Sequence, residues 1–138
     1  MVGFITILID ASVFCAYANI DDVHHKKALK ILEDIISEKY GKSIASDYVF
    51  DETVTVTLRK TNKKTAVNIG NFIINSEVLL IRIDYKVFQS AWEIFDGTKE
   101  LSFTDCANVA LMQMFGVEYI ATFDRDFEEI EDIKIVKE

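Results

Sequence analysis

Proline is absent from the 138 residues, and glycine occurs only five times. A chain so poor in these breakers has no obvious linker between modules, and neither a repeat nor a low-complexity stretch supplies one. A single domain over residues 1–138 is therefore expected. Cysteine occurs twice, at Cys15 and Cys106. Both lie in apolar surroundings, so two buried free thiols are expected, in a reducing compartment. Two cysteines fill a zinc site only if His24 and His25 join them. Adjacent histidines point about 100° apart on a helix, which suits surface groups better than joint ligands.

Positive charge is also scarce: 15 Lys and Arg stand against 23 Asp and Glu, for a formal net charge of -8. Attraction to nucleic acid by bulk electrostatics is excluded, because it needs cationic side chains to displace counterions. A nucleic-acid substrate would require metal and a local basic patch. Long apolar runs are missing too. The stretch from Phe4 to Ile9 is too short to span a bilayer, has no basic residue before it and ends in Asp10 rather than at a small-residue cleavage site. No membrane association is expected, and the cytoplasm is the expected location.

What is present is apolar material, 50% of the residues, enough for a sizeable core. Phe4 to Ile9 is rich in β-branched residues and apolar on both faces, as in a central strand covered on either side. Ser12 to Tyr17 opens a helix. Asp21 or Asp22 caps a second, with Ala28, Leu29, Ile31, Leu32, Ile35 and Ile36 at helical spacing, ending near Gly41. A short strand at Ser43 to Ser46 precedes a segment capped by Asp47 and running to Leu58. Its Thr-Val-Thr-Val-Thr stretch alternates like a strand. Asn62 to Asn75 reads as a helix and Val78 to Ile83 as a buried strand. Tyr85 to Phe95 reads as a helix with Val87, Phe88, Ala91, Trp92 and Phe95 inward, broken by Gly97. Ser102 starts the next helix with Asp105 in a variant capping box, stopping at Gly116. Strands at Val117 to Phe123 and Ile133 to Val136 complete the chain, with the turn Asp124 to Phe127 between them. Strands alternating with helices, without hairpin turns, predict an α/β fold with parallel pairing and helices on both faces.

Ligands of such sheets bind beyond the carboxyl ends of the strands, near the point where strand order reverses. Asp10 follows the first strand and Asp124 the fourth, so adjacency of those strands would bring the two carboxylates together. Asp105, at the start of the preceding helix, could face them from the side. Such a cluster repels itself unless it holds a divalent cation, and hard oxygen ligands suit Mg²⁺ or Mn²⁺, ions that activate phosphate esters. Taken singly, each acid has an ordinary reading. Asp10 is a helix cap, Asp105 a first-turn acid favoured by the helix dipole, Glu52 a solvated helix residue and Asp124 a turn acid, while Asp126 caps the turn that follows.

The run Leu101-Ser-Phe-Thr-Asp-Cys-Ala-Asn-Val-Ala-Leu-Met112, followed by Gly116-Val-Glu-Tyr-Ile-Ala-Thr-Phe-Asp-Arg-Asp-Phe127, resembles the C-terminal half of PIN-domain ribonucleases. Ile9-Asp10-Ala11-Ser12 resembles their opening motif. Tyr48-Val-Phe-Asp-Glu52 resembles the segment that carries their glutamate on a helix, so a helix is expected there against the strand propensity. Residues 60 to 100 contain no diagnostic motif. The resemblance implies a three-layer Rossmann-like domain with a mainly parallel sheet of four to five strands. It also implies a Mg²⁺- or Mn²⁺-dependent endoribonuclease like the VapC toxins of VapBC pairs, usually a homodimer inhibited by a cognate antitoxin. On this resemblance Asp10, Glu52, Asp105 and Asp124 form the acidic quartet that binds metal, with Ser12 and Thr104 beside it and Asp126 a further candidate. Asp10 and Asp124 are assigned as ligands, Asp105 as ligand or water-orienter, and Glu52 as a ligand through water or the base for the attacking water.

Arg59, Lys60, Lys63 and Lys64 form the densest basic cluster. It reads by default as a solvated charge run and functionally as an RNA-backbone contact, with Lys39, Lys42 and Arg125 as helpers. No aromatic stripe for base stacking stands out. Two rival readings are a haloacid-dehalogenase-like phosphatase, which needs Asp-x-Asp where this chain has Asp10-Ala-Ser12, and a catalytically idle PIN-like interaction module, whose mark would be loss of quartet acids.

Overall fold

A computed structural model describes residues 5–138. The first strand, β1, runs Ile5–Ile9, and Phe4, expected to open it, lies outside the described residues. It is followed by α1 (Ala11–Ala18), α2 (His25–Ile36), β2 (Lys42–Ser46), α3 (Asp47–Lys60) and α4 (Lys63–Asn75). Then come β3 (Leu79–Ile81), α5 (Tyr85–Gly97), α6 (Phe103–Phe115), β4 (Tyr119–Ala121), a 3-10 turn (Arg125–Glu129) and β5 (Lys134–Val136).

The five strands form one sheet in the order β3-β2-β1-β4-β5, and every neighbouring pair is parallel. Strand alternation divides the core in two. Ile7 and Ile9 point to a layer built from α1 to α4, where they meet Phe14, Ile31, Ile35, Val49 and Ile73. Leu8 points the other way, to α5 and α6, among Val87, Ala91, Leu111, Ile120 and Phe127. This is the three-layer α/β sandwich, with β1 at its centre. Strand order reverses between β1 and β4, and the C-terminal ends of those two strands open on the crevice where ligands bind in such sheets.

α3 forms in spite of its Thr-Val alternation. Ser46, not Asp47, is the cap: its hydroxyl accepts from Val49 N at 3.1 Å. Asp47 instead accepts from Ile83 N at 2.9 Å, tying the helix start to the segment after β3. Val49, Thr53 and Thr57, four apart, are buried along one stripe. Burying a side chain such as Val49 gives about 1.5–3 kcal/mol, more than the few tenths that β-branching costs per helical position.

Three expectations are corrected. α2 is capped by neither Asp21 nor Asp22: Asp22 Oδ1 accepts from His24 N at 2.8 Å, which makes a turn and delays the helix to His25. It ends at Ile36, because Glu38 and Gly41 take left-handed φ of 62° and 84°. β3 is not a buried strand, for it lies at the sheet edge with Leu79 and Leu80 exposed. On α5 only Val87 and Ala91 are buried, while Phe88, Trp92 and Phe95 are exposed. Two helices cover this face of the sheet where four cover the other, so α5 keeps a second apolar stripe, whose Phe88, Trp92 and Phe95 meet the Phe103 ring of α6 and are otherwise exposed.

Candidate active site

β1 ends by placing the Asp10 backbone N–H on Ala121 O of β4 at 3.0 Å. That bond fixes the Asp10 side chain beside the strand end that leads to Asp124. The Asp10 carboxylate is 3% exposed. Its Oδ2 accepts from Ser12 Oγ and from Thr122 Oγ1, each at 2.8 Å, and its Oδ1 accepts from Asn108 Nδ2 at 3.3 Å. Burial pushes its pKa above the usual carboxylate range, against the pull of Thr122 and Ser12.

The same two hydroxyls set the next loop. Ser12 Oγ accepts from Phe123 N and Thr122 Oγ1 from Asp124 N, each at 3.0 Å, while Asp124 Oδ1 accepts from Asp126 N at 2.9 Å. Thr122 thus links the two strand-end acids. Its position at the end of an otherwise apolar strand, two residues before Asp124, is a signal that sequence reasoning missed. Asn108 was missed as well, although it stands one helical turn after Asp105.

Asp105 lies in the first turn of α6 and completes the expected capping box: Ser102 Oγ accepts from Asp105 N at 3.2 Å, and Asp105 Oδ2 accepts from Ser102 N at 3.0 Å. It is 7% exposed. Burial first, and then the charges of Asp10 and Asp124, raise its carboxyl to about 7. Glu52, half-buried in the second turn of α3, is raised by burial and then by Asp10, Asp124 and Asp51. At Asp105 and Glu52 burial is the larger cause, and the charges of Asp10 and Asp124 add to it.

These acids share a cavity of about 350 Å³ lined by Asp10, Glu52, Asp105 and Asp124, and also by Asp22, Glu100, Asp126, Ser12, Ser102 and Lys60. All four quartet acids therefore meet, on β1, α3, α6 and the loop after β4. Asp126 joins them, its carboxyl raised chiefly by the charge of Asp124. Thr104 is half-buried in α6, does not line the cavity and takes no part in the hydrogen bonds described above. Of the basic cluster only Lys60 lines the cavity; Lys63 lines a separate apolar groove of about 320 Å³ between α3 and α4. Arg59 and Lys64 are exposed and line neither. Lys39, Lys42 and Arg125 sit within ion-pair distance of Asp34, Glu38 and Glu128.

Both thiols are free. Cys106 is buried as expected, whereas Cys15 is half-buried and lines the acidic cavity, its thiol pushed up to about 11 by burial and by the nearby carboxylates. The two histidines are half-buried rather than free on the surface. His25 Nδ1 lies 2.8 Å from Ala16 O, and the His24 ring stacks on Phe123 at the cavity wall.

Hard carboxylate oxygens gathered in one partly buried cavity are a donor set for a divalent cation, since binding one offsets their repulsion. Glu52 makes no ion pair among the described residues, and Asp10 and Asp124 keep lone pairs beyond the bonds named. Among the described residues, no group of three or more His, Cys, Asp or Glu side chains is arranged to hold an ion as it stands. The acids share the cavity without closing a cage. This suits an ion that keeps several of its own waters, as Mg²⁺ does.

The family model for the PIN domain matches residues 7–133. A VapC ribonuclease of Archaeoglobus fulgidus is 28% identical over 118 residues, covering 83% of this chain and 74% of that protein. The 23S rRNA-specific endonuclease VapC20 of Mycobacterium tuberculosis is 26% identical over 123 residues, covering 88% of this chain and 91% of the relative. The crystal structure of M. tuberculosis VapC20, a Sarcin-Ricin loop cleaving toxin, superposes with a TM-score of 0.81 at 25% identity, covering 90% of this chain and 94% of the other. VapBC2 of Rickettsia felis, bound to a DNA fragment from its promoter, has the same fold at a TM-score of 0.70, with 12% identity and 96% of this chain covered. With a sheet order, a strand-end pair of acids and a family match that span nearly its whole length, this chain belongs to the PIN domain family.

Proposed function

We propose that this chain is a Mg²⁺- or Mn²⁺-dependent endoribonuclease, the toxin of a VapBC-type pair, that hydrolyses RNA phosphodiester bonds in the acidic cavity. The observation that carries this reading is the meeting of Asp10, Glu52, Asp105 and Asp124 in one cavity at the β1/β4 switch point. The relatives named VapC ribonuclease and 23S rRNA-specific endonuclease support RNA as the substrate class.

Asp10 and Asp124 would hold the cation, with Asp105 as ligand or orienter of water and Glu52 reaching it through water. A bound divalent ion supplies positive charge to the phosphodiester oxygens and acidifies water. The chain's own part is positional. Ser12, Thr122 and Asn108 fix both Asp10 oxygens. Ser102 holds Asp105 through its backbone N–H. Glu52 has no such tether among the described residues, and burial together with the charges of Asp10 and Asp124 raises its pKa, which makes it the stronger base. Lys60 is the one basic side chain of the flagged cluster placed to meet a phosphate here.

The phosphatase reading is disfavoured, because Ser12 stands where a second aspartate would be needed and spends its hydroxyl on Asp10. An idle module is disfavoured by the intact quartet. A cognate antitoxin is the expected partner, since solved relatives of this fold include toxin-antitoxin complexes. Homodimerisation belongs to the same reading. It is supported by the exposed row Tyr85, Phe88, Trp92 and Phe95 on α5, an apolar stripe of the kind that marks protein contacts. Two free thiols fit a reducing cytoplasm, and no helix among the described residues is long and apolar enough to cross a membrane.

The test is incubation of the purified chain with RNA in EDTA and in Mn²⁺. Endonucleolytic cleavage that needs Mn²⁺ and is lost in Asp10→Asn supports the reading, and cleavage that persists in EDTA contradicts it.

A further inference from the structure

The acidic cavity is a poor receptor for a polyanion. Seven carboxylates line it, on Asp10, Asp22, Glu52, Glu100, Asp105, Asp124 and Asp126, against one lysine, Lys60. A cation offsets part of this, but attraction beyond the scissile phosphate has to come from the uncharged parts of the substrate. The cavity offers one surface suited to them. The His24 ring lies on the Phe123 ring with centroids 4.4 Å apart and planes 12° from parallel. Among the described residues these are the only aromatic side chains that line it, and both are half-buried.

The platform is built rather than accidental. Phe123 sits between Thr122 and Asp124, its backbone N–H held by Ser12 Oγ at 3.0 Å. The loop that carries His24 is folded on itself: Asn19 Oδ1 accepts from Asp21 N at 3.0 Å, Asp22 Oδ1 accepts from His24 N at 2.8 Å, and His25 Nδ1 lies 2.8 Å from Ala16 O. Ile20 and Val23 on the same loop are 78% and 89% exposed, an unusual amount of apolar side chain to hold in water beside a charged cavity.

We infer that the His24–Phe123 stack is a landing surface for one unstacked nucleobase next to the cut bond. The inference rests on the ribonuclease reading and adds a base-contacting surface to its site. A base in an A-form helix is stacked on its neighbours and its deep groove admits no side chain, whereas a splayed base is free to lie on an aromatic plane. Because every base has a π face, such a platform gives affinity without a sequence code. The preformed loop keeps the ordering cost low.

The experiment is Mn²⁺-dependent cleavage of a short single-stranded RNA by the wild-type chain, by His24→Ala and by His24→Phe. Each enzyme is also given a set of substrates in which one abasic nucleotide is walked along the strand. In His24→Ala, KM rises roughly 5- to 100-fold while kcat changes far less, the range that follows from losing one base-aromatic stack. His24→Phe restores KM, which a role in proton transfer would not allow, and the abasic series separates base contact from a role in folding. In the wild type, one abasic position beside the cut reproduces the penalty, and that position adds nothing further in His24→Ala. A flat abasic profile in the wild type overturns the platform while leaving the nuclease intact. So does equal cleavage of duplex and single-stranded RNA. A His24→Ala chain that cuts normally but no longer binds an inhibitory protein assigns the loop to protein recognition and likewise overturns it. Absence of any Mn²⁺-dependent cleavage by the wild type sinks the ribonuclease reading itself.

Discussion

Replacing Asp105 with Asn removes a charge from the crowded cavity and keeps an oxygen that can accept from Ser102 N, so the capping box survives. Burial and the charges of Asp10 and Asp124 push the folded carboxyl up to about 7, from an ordinary 3.8. At about 1.4 kcal/mol per unit the gap corresponds to at most about 4 kcal/mol, and the open cavity lets solvent screen it to about 1–2 kcal/mol. The sign follows from proton binding. Between about pH 4 and pH 7 the folded state holds the proton more tightly than the unfolded one, so this group makes the metal-free wild type lose stability as pH rises. Losing a favourable charge at the α6 N-terminus costs the variant about 0.3–1 kcal/mol. The net expectation in EDTA at pH 8 is a variant more stable by about 1 kcal/mol, or about 3 °C in Tm, with the advantage gone by pH 4 to 5. Mn²⁺ should reverse the ranking, because an ion at 100 times its Kd stabilises the wild type by about 2.7 kcal/mol and the variant by less. Melts at the two pH values, with EDTA and with Mn²⁺, are the assay. A variant less stable at pH 8 without metal, or one that keeps the full wild-type Mn²⁺ shift, would refute the reasoning.

Asp10→Asn should fold and lose metal-dependent cleavage. The unpartnered Asn108 Oδ1 can turn to receive the new amide N–H, and circular dichroism with a cleavage assay checks both halves. Thr122→Val removes the hydroxyl shared by Asp10 and Asp124 and should cost about 1–2 kcal/mol of stability with a drop in kcat of tenfold or more; Thr122→Ser should recover most of it. Lys60→Ala should raise KM severalfold and weaken its salt dependence, and Lys63→Ala should do neither, which kinetics at two ionic strengths will show. Trp92→Glu on the exposed α5 row should shift a dimer to monomer in sedimentation without unfolding it; a dimer that persists would place the interface elsewhere.

The layers, the parallel sheet and the meeting of Asp10, Asp105 and Asp124 were legible because each rests on a local signal: an apolar run that ends in Asp10, a capping box at Ser102 and Asp105, and a strand that ends before Asp124. Glu52 was legible only through family resemblance. The Thr-Val run around it alternates like a strand, and only packing of Val49, Thr53 and Thr57 decides for a helix. What failed was anything that depends on which layer is wide enough. Phe88, Trp92 and Phe95 fit an inner face by spacing, yet two helices cannot cover all their stripes. The histidines failed for another reason. Adjacent residues on a helix diverge, but the Asp22 turn puts His24 at the helix boundary and leaves its ring on Phe123, a partner that no local pattern reveals.

Titration of Mn²⁺ into the wild-type chain and into the Asp10→Asn/Asp124→Asn double variant, followed by calorimetry or by electron paramagnetic resonance, tests the shared site most directly. The wild type should bind at least one ion per chain, and the double variant should lose that binding together with RNA cleavage. Undiminished Mn²⁺ binding by the double variant would show that the two strand-end acids hold no ion, and the account would fail at its base.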